Sequence, residues 1–163
     1  MNAATILRDL EQKGFCLRAT AASDGIVVRP FSRLTTDERN LIRTHKAAII
    51  AALTVGEIRD RYEERAALGE FDHGLSRPEA EHRAWESAIT MYLNACPGAA
   101  QNAANCPACQ RRLGDDAVPL LRPGGGHTLV HARCTARYLA ERRAAAAKVL
   151  VAAGIPQPPD WRP

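Results

Sequence analysis

Aromatic residues are scarce in this chain: its 163 residues include two Trp, three Tyr and three Phe, or 5% of the total. The hydrophobic fraction of 46% is inflated by alanine, which buries little apolar area per residue. The small number of large apolar side chains argues against one large core and favours two or three small modules. A bound metal ion and oligomerisation are both candidates for additional support.

Long apolar runs and an export signal are also absent. The longest apolar stretch, residues 47–55, is too short to cross a bilayer, and charged residues come too early in the chain for a signal peptide. We therefore expect a cytoplasmic protein that has no membrane partner. The five cysteines, an odd number, fit metal binding with spare thiols better than a disulfide framework.

The net charge of +4 is unevenly distributed, with +3 on residues 1–54, −4 on residues 55–105 and +5 on residues 106–163. A moderately basic C-terminal third could bind nucleic acid, or it could be an ordinary solvated surface. The sequence has no dense run of Lys and Arg and no aromatic residues interleaved with basic ones, which favours the solvated surface.

The strongest chemical pattern in the chain is C-x2-C…H-x2-C in the C-terminal third. Three thiolates and one imidazole form a closed tetrahedral set for Zn²⁺, which leaves no open position for a substrate. The pattern therefore predicts a structural zinc site. Its four predicted ligands are Cys106, Cys109, His131 and Cys134.

Other roles for these residues stay open at the sequence level. The cysteines could be free thiols or small core residues. His127 could replace His131, but it follows three flexible glycines, and Cys96 could join the site, but it lies in a predicted linker.

The spacing around the four ligands predicts a treble-clef-like zinc finger. Cys106 and Cys109 would form a knuckle, the Pro-Gly-Gly-Gly segment would turn a hairpin, and His131 and Cys134 would lie on the first turn of a helix. The full spacing, C-x2-C-x21-H-x2-C, is similar to the first zinc site of LIM domains. Only the ligand geometry is carried over from that resemblance.

Enzyme functions fit the sequence poorly. A closed site of three cysteines and one histidine activates no water molecule, and the metal would quench the cysteines nearest a histidine. A zinc deaminase needs a glutamate beside its ligand histidine, whereas Ala132 follows His131. The three glycines that end at Gly126 lack the Lys-Ser/Thr of a phosphate-binding loop. We therefore predict a protein that is not an enzyme.

The first 54 residues predict a small module of helices and one hairpin. Residues 5–13 have helical spacing and end at Gly14, and residues 15–30 alternate around a central turn. A further helix is predicted to begin after Thr35 or Thr36, to break near His45 and to end at about residue 53.

This order of elements and the stretch LTTDERNLIRTHKAAIIAAL resemble N-terminal docking domains of the TubC type, known from nonribosomal peptide and polyketide assembly lines. The resemblance covers residues 4–54. It implies an αββαα fold that dimerises and binds a short terminal segment of a partner protein with its exposed hairpin. The matching positions are Leu34, Thr35, Glu38, Leu41, His45, Lys46, Ile49, Ile50 and Leu53.

The unpaired edge of the hairpin is the predicted site for the partner protein. An extended peptide would add to it as a further strand, and Arg18 and Arg29 would favour an acidic peptide. The predicted partner-binding residues are Arg18, Ile26, Val28 and Arg29. The apolar stripe of the later helices is larger than this module can cover, which predicts a homodimer.

Residues 55–94 predict a helical hairpin, with Ser76 and Glu79 at the spacing of a capping box. The phrase YEERAALGEFDHGLSRPEAEHRAW is similar to helical segments of proteins from bacterial plasmids, integrative elements and prophages. Residues 95–105 read as a linker, residues 106–153 as the zinc-finger module, and residues 154–163 as a proline-rich tail that forms an extended surface strip.

These patterns together predict an α+β protein that is mostly α-helical. Its predicted function is that of a non-catalytic zinc-binding adaptor or docking protein, which mediates protein–protein interaction and is encoded by a bacterial mobile genetic element. The alternative is a nucleic-acid-binding accessory factor in the replication or transcription of such an element. The arginines that would face phosphates are Arg111, Arg112, Arg133, Arg137, Arg142 and Arg143.

Overall fold

The computed structural model describes residues 2–20, 24–96, 104–121 and 126–163. The fold is α+β and mostly α-helical, as predicted, with two small antiparallel sheets in the described part of the chain. Two turns of 3-10 helix lie at Phe31–Arg33 and Ala132–Cys134. The other elements are α1 (Ala3–Gln12), β1 (Cys16–Ala19), β2 (Ile26–Arg29), α2 (Thr36–Thr44), α3 (Lys46–Phe71), α4 (Arg77–Ala95), β3 (Ala117–Leu121), β4 (His127–His131) and α5 (Thr135–Ala152).

The chain divides into two compact units, Met1–Glu57 and Ile58–Pro163. All but the first three residues of the predicted helical hairpin lie in the second unit, together with the zinc-finger module and the proline-rich tail.

The N-terminal unit contains the predicted hairpin, in which β1 and β2 pair antiparallel. Leu17 pairs with Val28 and Arg18 pairs with Val27, so successive residues alternate between the core and the outward side. The order α-β-β-α-α agrees with the sequence prediction, and residues 21–23 of the predicted turn lie outside the described residues. The buried side chains of this unit are Ile6, Leu10, Phe15, Leu17, Leu34 and Ile49.

A capping box begins α2, as the Thr and Glu spacing indicated. The Thr35 side chain accepts a hydrogen bond from the Glu38 N–H, and the Glu38 carboxylate accepts one from the Thr35 N–H. The Lys13 ammonium lies 2.8 Å from the same carboxylate and, with the Thr35 N–H, lowers the pKa of Glu38 to about 2. The predicted break near His45 is confirmed, because α2 ends at Thr44 and α3 begins at Lys46.

The predicted end of the next helix at about residue 53 was wrong, since α3 continues from Lys46 to Phe71. Gly56 is the only glycine near the predicted end, and one glycine in a helix interior costs only about 1 kcal/mol relative to alanine. Without a proline or a C-cap, the helix has no reason to stop at this point. Thus α3 contributes residues to both compact units.

The second unit has its main core between α3, α4, α5 and the C-terminal segment. Trp85 on α4 is fully buried, and its ring meets that of Trp161 edge to face at a centroid distance of 5.7 Å. The described core residues are Ile58, Tyr62, Ala84, Trp85, Ala88, Ile89, Ala146, Ala147, Leu150, Ile155 and Trp161.

The C-terminal segment is therefore not the surface strip that its prolines suggested. Ile155 and Trp161 are only 1% and 4% exposed. The prolines do prevent a helix, as predicted, but the segment also carries two large apolar side chains, and burying them stabilises the core. Proline content thus predicted the backbone of this segment and not its burial.

The helices α3 and α4 approach each other closely at Gly69. A Cβ atom at this buried position would lie 3.0 Å from the Cβ atom of Ala80 on α4. The hydrogen bond from the Leu75 N–H to the Gly69 carbonyl closes the connection between the two helices. At the start of α4, the predicted partner of Ser76 is confirmed, because the Glu79 carboxylate accepts hydrogen bonds from the Ser76 N–H and hydroxyl.

The second sheet consists of β3 and β4, which pair antiparallel from Ala117↔His131 to Leu121↔His127. A small cluster of buried side chains lies against it, and this cluster includes Cys106, Val130 and Cys134. Among the described residues, no helix combines the length and the apolar character that crossing a membrane requires.

Candidate metal centre

The first pair of predicted ligands lies on a tight knuckle. The Gln110 N–H donates to the Cys106 carbonyl and the Cys106 N–H donates to the Arg111 carbonyl, each at 2.8 Å. Gln110 has a φ of 60°, a left-handed conformation that lets the chain turn back after Cys109. An antiparallel bridge between Asn105 and Arg112 closes the base of the knuckle.

The second pair lies where β4 meets α5. His131 is the last residue of β4 and has extended backbone, because it pairs with Ala117 across the sheet. Cys134 ends the following 3-10 turn, and α5 begins only at Thr135. The prediction that both ligands occupy the first turn of the helix was therefore wrong, since the pairing of β4 extends one residue further than the spacing indicated.

The structure brings the four predicted ligands together. Their side-chain ligand atoms all lie within 4.8 Å of one another. Cys109 Sγ is 3.3 Å and Cys134 Sγ is 4.0 Å from His131 Nδ1. A tetrahedral site with metal–sulfur bonds of about 2.3 Å separates its ligand atoms by roughly 3.5–3.8 Å. Cys106, Cys109, His131 and Cys134 could therefore hold one metal ion.

The imidazole of His131 is oriented by groups on the side away from the sulfur atoms. His131 Nε2 lies 3.1 Å from the Arg112 carbonyl oxygen and 3.9 Å from the Asp116 carboxylate. Because a carbonyl oxygen only accepts, Nε2 carries the proton and Nδ1 presents its lone pair to the cluster. The hydrogen bond to Arg112 also raises the pKa of His131. Metal-binding histidines commonly have such an outer hydrogen bond.

The thiols of the cluster differ in acidity. Burial would raise the pKa of Cys106, but backbone N–H groups of His131, Cys109 and Ala108 outweigh burial and lower this pKa to about 6. Burial raises the pKa of Cys134, and its hydrogen-bonded neighbours Cys109 and Cys106 add to the increase. Cys106 is thus deprotonated more easily than Cys134, and thiolate is the form that binds metal.

The alternative ligands do not reach this cluster. His127 is exposed and begins β4, at the opposite end of the five-residue strand from His131. Cys96 follows the last residue of α4, and its N–H donates to the Tyr92 carbonyl. Within the described part of the chain, the four predicted residues are the only group of ligand side chains close enough for one metal ion.

The residues predicted to bind a partner protein lie on two faces of the hairpin. Arg18 and Arg29 are exposed on the outward side. Ile26 and Val28 are half-buried and pack against the core of the N-terminal unit. Val27, which the sequence analysis did not select, faces outward beside Arg18 and is 43% exposed. Strand alternation in Ile26–Arg29 was the signal that could have identified it.

The six arginines predicted to face nucleic acid have different surroundings. One Arg143 nitrogen lies within 2.9 Å of both Glu86 carboxylate oxygens, and Arg137 donates to Glu141 at 2.6 Å. Arg142 lies over the Tyr138 ring. The other three are exposed, and no ion pair joins them to any described residue: Arg111, Arg112 and Arg133.

The four-ligand cluster is the feature of this chain with the clearest chemistry, and its residues were all identified from sequence spacing. Comparisons of the chain with protein-family models, with curated proteins and with solved structures found no match.

Proposed function

We propose that this protein is a non-catalytic adaptor that binds one structural Zn²⁺ and connects partner proteins in the cytoplasm. The observation that carries the proposal is the group of three thiols and one imidazole whose ligand atoms lie within 4.8 Å of one another. Zinc is the metal that this donor set favours, because it accepts mixed sulfur and nitrogen ligands in tetrahedral geometry.

A structural role for the metal follows from the donor set and its burial. Cys106 and His131 are 0% and 3% exposed, and four protein ligands fill a tetrahedral zinc ion completely. Such an ion has no position for a substrate or an activated water molecule. The metal would instead hold the knuckle, the β3–β4 hairpin and the start of α5 together, and its binding energy would contribute directly to folding.

The outward side of the β1–β2 hairpin is the proposed docking surface for a partner. Arg18 and Arg29 supply positive charge and Val27 supplies apolar area on this side. In a sheet of two strands, each strand has an edge that can accept an extended peptide. The resemblance of residues 4–54 to TubC-type docking domains supports this mode of binding and a homodimer, and an acidic segment is the partner that the arginines favour.

The mobile-element setting belongs to the same proposal and rests on the resemblance of the α3–α4 segment to plasmid and prophage proteins. The nucleic-acid alternative receives less support. Arg143 is engaged by both carboxylate oxygens of Glu86, and Arg142 contacts an aromatic ring. The stripe of basic residues that phosphate tracking requires is therefore interrupted at these two positions.

Three measurements on the full chain test the proposal. Elemental analysis should give one zinc per chain, and light scattering should give a dimer at high micromolar concentration. The third is a pull-down from host extract, followed by reconstitution with the purified partner. Here Arg18→Glu/Arg29→Glu should lose the partner, whereas Arg8→Glu/Arg43→Glu, which changes the net charge equally, should retain it. A protein without zinc, or equal capture by both variants, would overturn the proposal.

A further inference from the structure

A shallow depression of about 420 Å³ lies beside the knuckle of the metal centre. Three arginines line it, one from the knuckle and two from the segment that begins α5. We call this feature the arginine cleft. Its lining residues are Ala108, Cys109, Gln110, Arg111, Arg133 and Arg137.

The arginine cleft has an excess of positive charge. Arg111 and Arg133 form no ion pair with any described residue. Arg137 pairs with Glu141, but both side chains are more than half exposed, and such surface pairs are weak enough for a ligand to replace. A zinc ion with three thiolates and one neutral imidazole carries one negative charge. The positive charge of the three guanidinium groups is therefore larger than the combined negative charge of the metal centre and Glu141.

The backbone that carries these arginines is held by the metal centre. Arg111 follows the knuckle, and its carbonyl accepts the hydrogen bond from the Cys106 N–H. Arg133 lies between two metal ligands, in the 3-10 turn that ends at Cys134, and Arg137 lies four residues further on α5. Metal binding would thus fix the relative positions of the three attachment points, which lowers the entropy cost of binding a ligand between them.

We propose that the arginine cleft binds the carboxylates of an acidic peptide segment of a partner protein, as a second docking site of the proposed adaptor. The inference rests on the proposed function. The planar guanidinium fork matches a carboxylate with two parallel hydrogen bonds. Ala108 is the only apolar side chain of the lining besides the Cys109 ligand, so charge would supply most of the recognition and salt would weaken it.

The lining also argues against nucleic acid as the ligand. Single-stranded nucleic acid is bound through aromatic side chains on which its bases stack, and the cleft has no aromatic lining residue. A duplex is bound through a track of phosphate contacts, whereas this cleft groups its charges in one depression. An acidic peptide requires neither feature.

The test uses the full, zinc-loaded chain and a fluorescein-labelled Gly-Asp-Glu-Glu-Asp-Gly peptide in an anisotropy titration at low salt. Arg111→Gln/Arg133→Gln should weaken binding by about tenfold, since charge-assisted hydrogen bonds are lost. The control variant Arg8→Gln/Arg43→Gln removes the same charge elsewhere and should stay within about twofold of the parent. The parent and all variants carry Arg18→Gln/Arg29→Gln, so that the proposed hairpin site does not contribute to the measured affinity. Every variant must retain one zinc, which shows that its fold is intact.

Each contrary outcome has a separate meaning. Equal affinities for the cleft variant and the parent overturn the inference, and so does an equal loss in the cleft and control variants, which would indicate general charge attraction. If a short DNA duplex binds more tightly than the peptide at the same salt concentration, the ligand of the arginine cleft is nucleic acid and not an acidic peptide. If the chain contains no zinc, the proposed function itself is wrong. If the chain contains zinc but does not bind the peptide, only the proposal for the arginine cleft is wrong.

Discussion

The Glu86 carboxylate on α4 accepts a hydrogen bond from the Trp161 indole Nε1 at 2.6 Å. The same carboxylate is paired with Arg143 on α5, whose guanidinium also lies over the Trp161 ring. Three parts of the second unit therefore meet at one carboxylate. The Trp161 side chain therefore makes a polar contact with Glu86, and its ring is also buried against Trp85.

Removing the Trp161 side chain should destabilise the second unit strongly. We expect Trp161→Ala to lower the free energy of unfolding by about 3–5 kcal/mol, because a large buried ring is lost. Trp161→Phe keeps most of the packing and loses the N–H donor, so it should cost only about 1–2 kcal/mol. Urea unfolding followed by circular dichroism measures both values. Equal stability of Trp161→Ala and the parent would show that the ring is not part of the core.

Acid should weaken the second unit through Glu86. Burial would raise the pKa of Glu86, but hydrogen bonds from Arg143 and Trp161 outweigh it and hold the pKa below the usual 4.5. A lowered folded pKa means that the contribution is complete above the unfolded value and is lost as the pH falls through the folded value. The urea midpoint should therefore fall as the pH drops below about 4.5, and less so in Glu86→Gln. The same pH dependence in both proteins would contradict this role.

Metal content should depend on the four predicted ligands and not on the neighbouring thiol and imidazole. Cys109→Ser and His131→Ala should lower bound zinc well below one ion per chain, because each removes one of four ligands. Cys96→Ser and His127→Ala are matched controls that should keep the full content. Elemental analysis of the purified variants measures this. Loss of zinc in either control would change the ligand assignment.

Chelation should affect the two compact units differently. Since zinc binding energy is folding energy, a strong chelator should unfold the β3–β4 and α5 region and loosen the core that α5 shares with α4. Both tryptophans lie in that core, so their fluorescence reports on the second unit alone. NMR amide signals of the β1–β2 hairpin should stay dispersed throughout. A simultaneous loss of both signals would mean that the two units unfold together.

Two glycines of α3 should respond differently to the same substitution. Gly56→Ala meets no atom within 4 Å, so it should stabilise the protein by about 0.5–1 kcal/mol through helix propensity. In Gly69→Ala the new methyl group would lie 3.0 Å from Ala80, and this crowding should cancel or reverse the gain. Thermal unfolding compares the two variants. An equal gain at both positions would show that the helices adjust freely at Gly69.

The sequence predicted what depends on local patterns. The four residues of the candidate metal centre were identified from spacing, the hairpin from alternation, and the start of α2 from its capping residues. The wrong predictions concern tertiary effects. Nothing near Gly56 indicated that α3 would continue, and composition alone could not indicate that Trp161 would be buried against Trp85. The strand pairing that places His131 in β4 depends on a partner strand that the spacing of ligands does not encode.

The main chain of Arg112, and not its side chain, orients the imidazole of His131. The Arg112 residue itself is exposed. Any amino acid at position 112 would offer the same carbonyl oxygen to the histidine. A substitution at position 112 can therefore change the charge of the surface beside the four-ligand cluster without removing the hydrogen bond that orients His131.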